Sequence, residues 1–122
     1  MNDIEMVQGI FPIIAHRLPK KWQKMVFRAS YGEDSYSMEY YVQQSNGAFV
    51  QCFEMDGVQE DDLLADFVSM DEVIVNYRNT LEAKDLWTRM ILVVDADGAF
   101  KVDYDYEQAE ETDNAWESKY LK

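Results

Sequence analysis

The chain has 122 residues, of which 48% are hydrophobic and 14% aromatic, and its formal net charge at pH 7 is −13. This length and composition are typical of one folded domain, which we expect to span residues 1–122, and they exclude wholesale disorder. The negative charge repels polyanions, so direct binding to nucleic acid or to an anionic membrane is disfavoured and a basic protein partner is favoured.

The first predicted element is an amphipathic helix near the N-terminus. Its apolar residues recur mostly at spacings of three and four, as on one face of a helix: Ile4, Val7, Ile10, Phe11, Ile14 and Leu18. Pro12 lacks an amide hydrogen and clashes with the preceding turn, so it predicts a kink or a break. Pro19 predicts the end of the helix.

Three strands forming an antiparallel meander are predicted next. Aromatic and β-branched residues favour a strand at residues 22–31, and alternation favours a second at residues 36–44. Asn46 and Gly47 tolerate positive φ and predict a hairpin turn. A third strand is expected over residues 48–55, with Phe49 and Phe53 on one face and Cys52 as a small buried residue.

A long central helix and a second hairpin follow. Acidic residues at positions 60–62 favour a helix start, and apolar residues at helical spacing extend the predicted helix to about residue 83. Strands are expected at residues 87–94 and 100–106, joined by a turn at residues 95–98. A loop at residues 107–115 precedes a short final helix anchored by Trp116, Tyr120 and Leu121.

Together these elements predict an α+β fold. We expect an antiparallel sheet of about five strands, arranged as a meander plus a hairpin, packed against the N-terminal helix and the long central helix. Phe67, Ile74 and Phe100 occupy the apolar phase of their elements, so all three side chains are expected to be buried.

The acidic residues are distributed unevenly. Residues 29–77 contain eleven acids and no Lys or Arg, and eleven more acids lie between residues 82 and 117. A surface that is merely solvated usually mixes both signs of charge. The pattern is therefore compatible with a solvated surface, but also with one that imitates a nucleic-acid backbone or covers a basic active site.

Three acidic features compete as the candidate binding site. They are the helix start at Glu60, Asp61 and Asp62, the strand face at Asp103, Asp105 and Glu107, and the loop at Glu110, Glu111 and Asp113. The helix-start charges offset the helix dipole, and a flexible loop loses entropy on binding. The strand face is the preferred candidate, because a strand holds alternate carboxylates in fixed register.

The sequence offers little for catalysis, metal binding or cofactor binding. His16 is its only histidine, and a lone helical histidine is more often a surface or core-edge residue than a general base. The turn at residues 95–98 fails the calcium-loop pattern, because Val93 and Tyr104 occupy two ligand positions. We therefore expect no enzymatic activity, no metal and no cofactor.

The sequence also bears on cellular location. A single cysteine excludes an intrachain disulfide, the N-terminus lacks the features of a signal peptide, and no apolar run approaches the ~20 residues of a membrane span. A cytoplasmic protein is expected.

Five short patterns, spread over nearly the whole chain, carry a family resemblance. They are Leu18-Pro19 with Trp22-Gln23-Lys24-Met25, Asp61-Asp62-Leu63-Leu64, Leu86-Trp87-Thr88, the run from Asp97-Gly98 to Tyr104-Asp105-Tyr106, and Trp116-Glu117-Ser118-Lys119-Tyr120-Leu121. In these patterns the chain resembles the YezG-like antitoxin or immunity family of bacteria. Such proteins are similar to cognate inhibitors of secreted polymorphic toxins, often nucleases, that protect the producing cell and its kin.

The resemblance implies an immunity protein that neutralises a cognate toxin C-terminal domain, expected to be a basic nuclease, and it implies no catalytic residue. Two alternatives come from other functional classes. One is a small enzyme or ligand-binding domain with an aromatic pocket around Trp87, Tyr104 and Tyr106. The other is an acidic subunit of a larger protein complex.

Overall fold

A computed structural model describes residues 2–32, 35–106 and 119–121. Its elements in chain order are α1 (Asp3–Ala15), β1 (Trp22–Tyr31), β2 (Tyr36–Gln44), β3 (Phe49–Gln51), α2 (Glu60–Arg78), β4 (Arg89–Asp95) and β5 (Phe100–Asp105). The predicted α+β class is confirmed, with an N-terminal helix, a central helix and a five-stranded antiparallel sheet.

The chain divides into two compact units. The helical unit comprises Met1–Lys20 and Phe53–Leu86, and the sheet unit comprises Lys21–Cys52 and Trp87–Lys122. The sheet unit is therefore built from two separate stretches of sequence, since α2 is inserted between its meander and its hairpin.

Helix α1 begins with a capping box and runs through Pro12. Asn2 Oδ1 accepts a hydrogen bond from the Glu5 amide at 2.8 Å, and Glu5 Oε1 accepts one from the Asn2 amide at 3.4 Å. The helix does not break at Pro12, and it ends at Ala15, before the predicted stop at Pro19. Pro12 is exposed, so solvent can reach the carbonyl group that loses its helical partner.

The buried face of α2 follows the predicted spacing, with Leu63, Phe67, Met70, Ile74 and Tyr77 all buried. Its predicted C-terminus near residue 83 is wrong, because the helix ends at Arg78. The Thr80 hydroxyl donates a 2.6 Å hydrogen bond to the Tyr77 carbonyl oxygen. The same carbonyl oxygen also accepts the Thr80 backbone amide at 3.0 Å, so the hydroxyl adds a second bond at the end of the helix.

Two contacts join the N-terminal segment to α2 inside the helical unit, one from α1 itself and one from Arg17, two residues past its end. A Cβ atom at Gly9 would lie 2.8 Å from Val73 Cγ1, so the absent side chain permits close approach of the two helices. Arg17 Nε and Nη2 donate to the Asp66 carboxylate at 2.9 and 3.3 Å. Gly9 within α1 approaches Val73, whereas Arg17, just after α1, contacts Asp66, nearer the start of α2, so the two helices run antiparallel.

The sheet has the strand order β3-β2-β1-β4-β5, with every neighbouring pair antiparallel. β1 lies at its centre, with β2 and β3 on one side and the β4–β5 hairpin on the other. The turns that connect β2 to β3 and β4 to β5 contain Gly47 and Gly98 at φ 87° and 95°. This conformation, which a side chain disfavours, confirms both predicted turns.

The third strand is shorter than predicted. β3 covers Phe49–Gln51, and the chain then enters a 3-10 helix at Cys52–Glu54. The Phe53 side chain therefore does not share a sheet face with Phe49, and its ring instead packs against Phe67 at a centroid distance of 5.8 Å. Cys52 is fully buried, as predicted.

The two faces of the sheet differ in how they are buried. One face carries a continuous set of buried side chains: Met25, Phe27, Ala29, Tyr40, Val42, Met90, Leu92 and Val94. The other has a small cluster centred on Val26 and Ile91, against which Tyr120 and Leu121 pack. Phe100 is 46% exposed, so its predicted burial is wrong; it begins the edge strand β5 directly after a hairpin turn.

Single truncations test these burial assignments. Phe67→Ala and Ile74→Ala should each lower the free energy of unfolding by about 2–5 kcal/mol, because each leaves a cavity in a closed core. Phe100→Ala and Val68→Ala should cost much less, because the two parent side chains are 46% and 54% exposed. Urea denaturation of the four variants measures the difference. Equal losses at all four positions would contradict the assignment.

A second prediction concerns the ion pair between the segment that follows α1 and helix α2. Arg17 and Asp66 meet with side-chain exposures of 25% and 12%, so we expect a coupling energy of about 1–3 kcal/mol in a double-mutant cycle. The pair between Lys84 and Glu82, with exposures of 76% and 77%, serves as a control and should couple by no more than ~0.5 kcal/mol. Equal coupling energies in the two cycles would show that partial burial does not strengthen the ion pair between Arg17 and Asp66.

Candidate functional site

The first turn of α2 presents an exposed cluster of carboxylates. Glu60, Asp61 and Asp62 are exposed, and none forms an ion pair with another residue in the described part of the chain. Their position beside the free amide groups of the helix start offsets part of their mutual repulsion. The helix start predicted from the sequence is therefore confirmed, and its charges face solvent.

The local sequence explains why these carboxylates lack a cation. No Lys or Arg occurs between residues 29 and 77, so Arg78 in the last turn of α2 is the nearest basic residue along the chain. Glu72, also exposed, extends the acidic surface beyond the first turn. The exposed acids of α2 are therefore concentrated in its first turn, with Glu72 as a further carboxylate in its second half.

Two apolar side chains lie among these acids, and the sequence reasoning did not identify them. Leu64 is 48% exposed and Val68 is 54% exposed. Each directly follows a buried residue, Leu63 or Phe67, and is therefore rotated by about 100° away from the core. Their departure from the core spacing is the signal by which the sequence alone could have identified them.

The predicted strand face is already engaged by other groups of the sheet unit. Asp103 Oδ2 accepts a 2.9 Å hydrogen bond from the Tyr120 hydroxyl and lies 3.6 Å from Lys101 Nζ. Asp105 Oδ2 lies 3.6 Å from Arg89 Nη1. These carboxylates share a strand face, as predicted, but they are partly neutralised within the chain.

A third acid on the same face of the sheet, Glu39, is also paired with other side chains of the sheet. Glu39 lies 3.4 Å from Arg28 Nη1 and also accepts hydrogen bonds from Tyr41 and Gln51, both at 3.4 Å. The sheet thus supplies cations and donors to its carboxylates, whereas the start of α2 supplies only its own amide groups. Of the acidic surfaces described, the helix start has the least internal compensation.

Glu107, Glu110, Glu111 and Asp113, together with Trp116 of the predicted final helix, lie outside the described residues.

The proposed aromatic pocket is occupied by its own side chains. Trp87 is only 1% exposed, and its ring lies 5.3 Å from that of Tyr104 and 5.8 Å from that of Tyr31. Tyr106, by contrast, is 57% exposed. Trp87, Tyr104 and Tyr31 form a packed aromatic cluster. This arrangement stabilises a core and leaves the Trp87 ring inaccessible to a ligand.

One cavity lies beside the strand face, lined by Lys101, Lys119, Asp103, Asp105 and Tyr120 among others. Its walls carry both signs of charge, and Lys101 is paired with Asp103 across them. Within residues 2–32, 35–106 and 119–121, no group of three or more His, Cys, Asp or Glu side chains is arranged to hold a metal ion. No helix in the same residues is long and apolar enough to cross a membrane.

Comparison with known proteins adds to this geometry. The family described as "Immunity protein YezG-like" matches residues 4–121, a span that contains both helices and all five strands. A search of curated proteins gives no match. Because the family match covers nearly the whole chain, the protein belongs to the YezG-like immunity protein family.

Proposed function

We propose that this protein binds a cognate secreted toxin domain in a one-to-one complex, that the toxin is a basic nuclease, and that binding protects the producing cell. Family membership supports the immunity role. The observation that carries the finer proposal is the exposed acidic surface at the start of α2, where Glu60, Asp61 and Asp62 have no internal ion pair among the described residues. Such a surface matches a partner of opposite charge.

The chemistry of nucleases supplies the link to a basic toxin. An enzyme that binds a nucleic-acid backbone needs a positive surface around its active site. An acidic protein that covers this surface competes directly with the substrate, and its own charge of −13 prevents it from binding the nucleic acid itself. Inhibition by occlusion requires no catalytic residue on the immunity protein.

The geometry favours the helix start over the strand face as the primary contact. Glu60, Asp61 and Asp62 can form new ion pairs without breaking existing ones. Asp103 would first have to give up its hydrogen bond from Tyr120, and Asp105 its contact with Arg89. We retain these two, with Glu107, Glu110 and Glu111, as secondary contacts in the proposal.

Titration of toxin activity tests the proposed function. The probe is the toxin C-terminal domain whose gene neighbours that of this chain, assayed for cleavage of plasmid DNA and of transfer RNA. Added immunity protein should abolish cleavage at an equimolar ratio, since a binding inhibitor is consumed mole for mole. Complete inhibition at a small fraction of the toxin concentration would indicate catalysis, and no inhibition at excess would refute the proposal.

Salt dependence tests whether electrostatic attraction speeds binding of the toxin, and charge-neutral variants test which surface provides that attraction. Raising salt from about 0.1 to about 1 M shortens the screening length from about 10 to about 3 Å, so the association rate should fall at least about tenfold. The triple variant Glu60→Gln, Asp61→Asn, Asp62→Asn should associate more slowly and lose part of that salt dependence. Stopped-flow fluorescence measures both rates, with circular dichroism to confirm folding.

The matched control is the double variant Asp103→Asn, Asp105→Asn, which also removes carboxylate charge but from an internally paired surface. It should affect the association rate less than the helix-start variant does. The opposite ranking would move the primary contact to the strand face. An association rate independent of salt in the parent protein would exclude electrostatic steering.

A further inference from the structure

The outward face of α2 carries apolar side chains that its own core does not use. Leu64 and Val68, 48% and 54% exposed, are four residues apart and therefore lie above one another on the helix surface. Val75, which is partly exposed, continues the same line two turns further on. We name these three residues the α2 stripe.

The α2 stripe points away from α1. Leu64 and Val73 are nine residues apart, about two and a half helical turns, and so occupy opposite sides of α2. Val73 is the residue that approaches Gly9 of α1. The stripe is therefore on the side of the helix that the other helix of the unit leaves open.

Acidic residues border the stripe on both sides. By helical phase, Asp61 and Glu72 flank it on one side and Glu60 and Asp71 on the other. An isolated exposed apolar residue is ordinary on a protein surface. Apolar residues one turn apart inside a rim of like charge are instead the arrangement of an interface core with a polar border.

The charge of the rim selects the occupant. A second copy of this chain is disfavoured as the occupant, because it would place carboxylates against carboxylates. The chain's own residues 107–118 are disfavoured for the same reason, since they contain five acids and no Lys or Arg. A basic protein gains ion pairs at the rim while its apolar surface covers the stripe.

We infer that the α2 stripe is the apolar centre of the surface that binds the basic toxin domain, which contacts it through an apolar groove bordered by Lys and Arg. This inference rests on the proposed function and specifies its contact surface. A helix that inserts an apolar line into a groove uses anchors at this spacing.

The stripe and its rim have separable kinetic roles. Long-range attraction by the acids raises the association rate, whereas contacts made only in the docked complex determine how long it lasts. Loss of the apolar anchors should therefore act on dissociation and leave association nearly unchanged.

The test compares matched serine variants by surface plasmon resonance against an active-site-inactivated form of the neighbouring-gene toxin domain. The double variant Leu64→Ser, Val68→Ser should dissociate roughly 30-fold faster or more, with its association rate within about threefold of the parent. Ile4→Ser is the control, because Ile4 is 52% exposed on α1 but has no exposed apolar neighbour one turn on. It should dissociate like the parent.

The outcomes separate this inference from the proposed function. A double variant that binds like the parent would overturn the inference while the proposed function stands. A parent protein that neither binds nor inhibits the toxin domain would overturn both. The single variants Leu64→Ala and Val68→Ala, which preserve helix propensity, provide the same comparison if the double variant melts at a lower temperature.

Discussion

The separation of acidic from basic residues along the chain constrains the rest of this structure. Because residues 29–77 contain no Lys or Arg, a carboxylate in that segment must take its cation from elsewhere or remain without one. Asp66, which is nearly buried, accepts from Arg17, two residues past the end of α1, and Glu39 lies beside Arg28 of the neighbouring strand. The first pair joins residues 49 apart in sequence and the second joins two adjacent strands, so neutralising the two charges also supports tertiary and sheet contacts. The carboxylates at the start of α2 have only the helix amides to offset them.

This arrangement allows one helix to stabilise the fold and to present the surface proposed to bind the toxin. The buried phase of α2, from Leu63 to Tyr77, supplies core packing, whereas its outward phase carries exposed acids and the α2 stripe. A substitution in the outward phase can change charge or apolar area with little effect on the core, because the two phases lie on different sides of the helix. Contact residues for a partner can therefore vary while the buried phase is kept.

The sequence predicted the elements whose signals are local. Periodicity identified the buried phase of α2, and the turns at Gly47 and Gly98 followed from their residue types. The ends of elements were predicted less well: residues 52–54 leave the sheet although their composition favours a strand, and Phe100 has the apolar phase of β5 but lies at its exposed beginning. In these cases position within the sheet outweighs residue type, and a local pattern carries no information about position.

The candidate site shows the same limit for electrostatics. Asp103 and Tyr120 are seventeen residues apart in sequence, and strand register brings Asp105 opposite Arg89, so neither contact can be read from neighbouring residues. The acids of the strand face and of the helix start look alike in sequence, but only the latter are free to form new pairs without breaking old ones. In the proposed capture of a basic toxin, uncompensated charge would speed association, since attraction then acts over about a screening length. Charge that is already paired inside the fold contributes little to that long-range field.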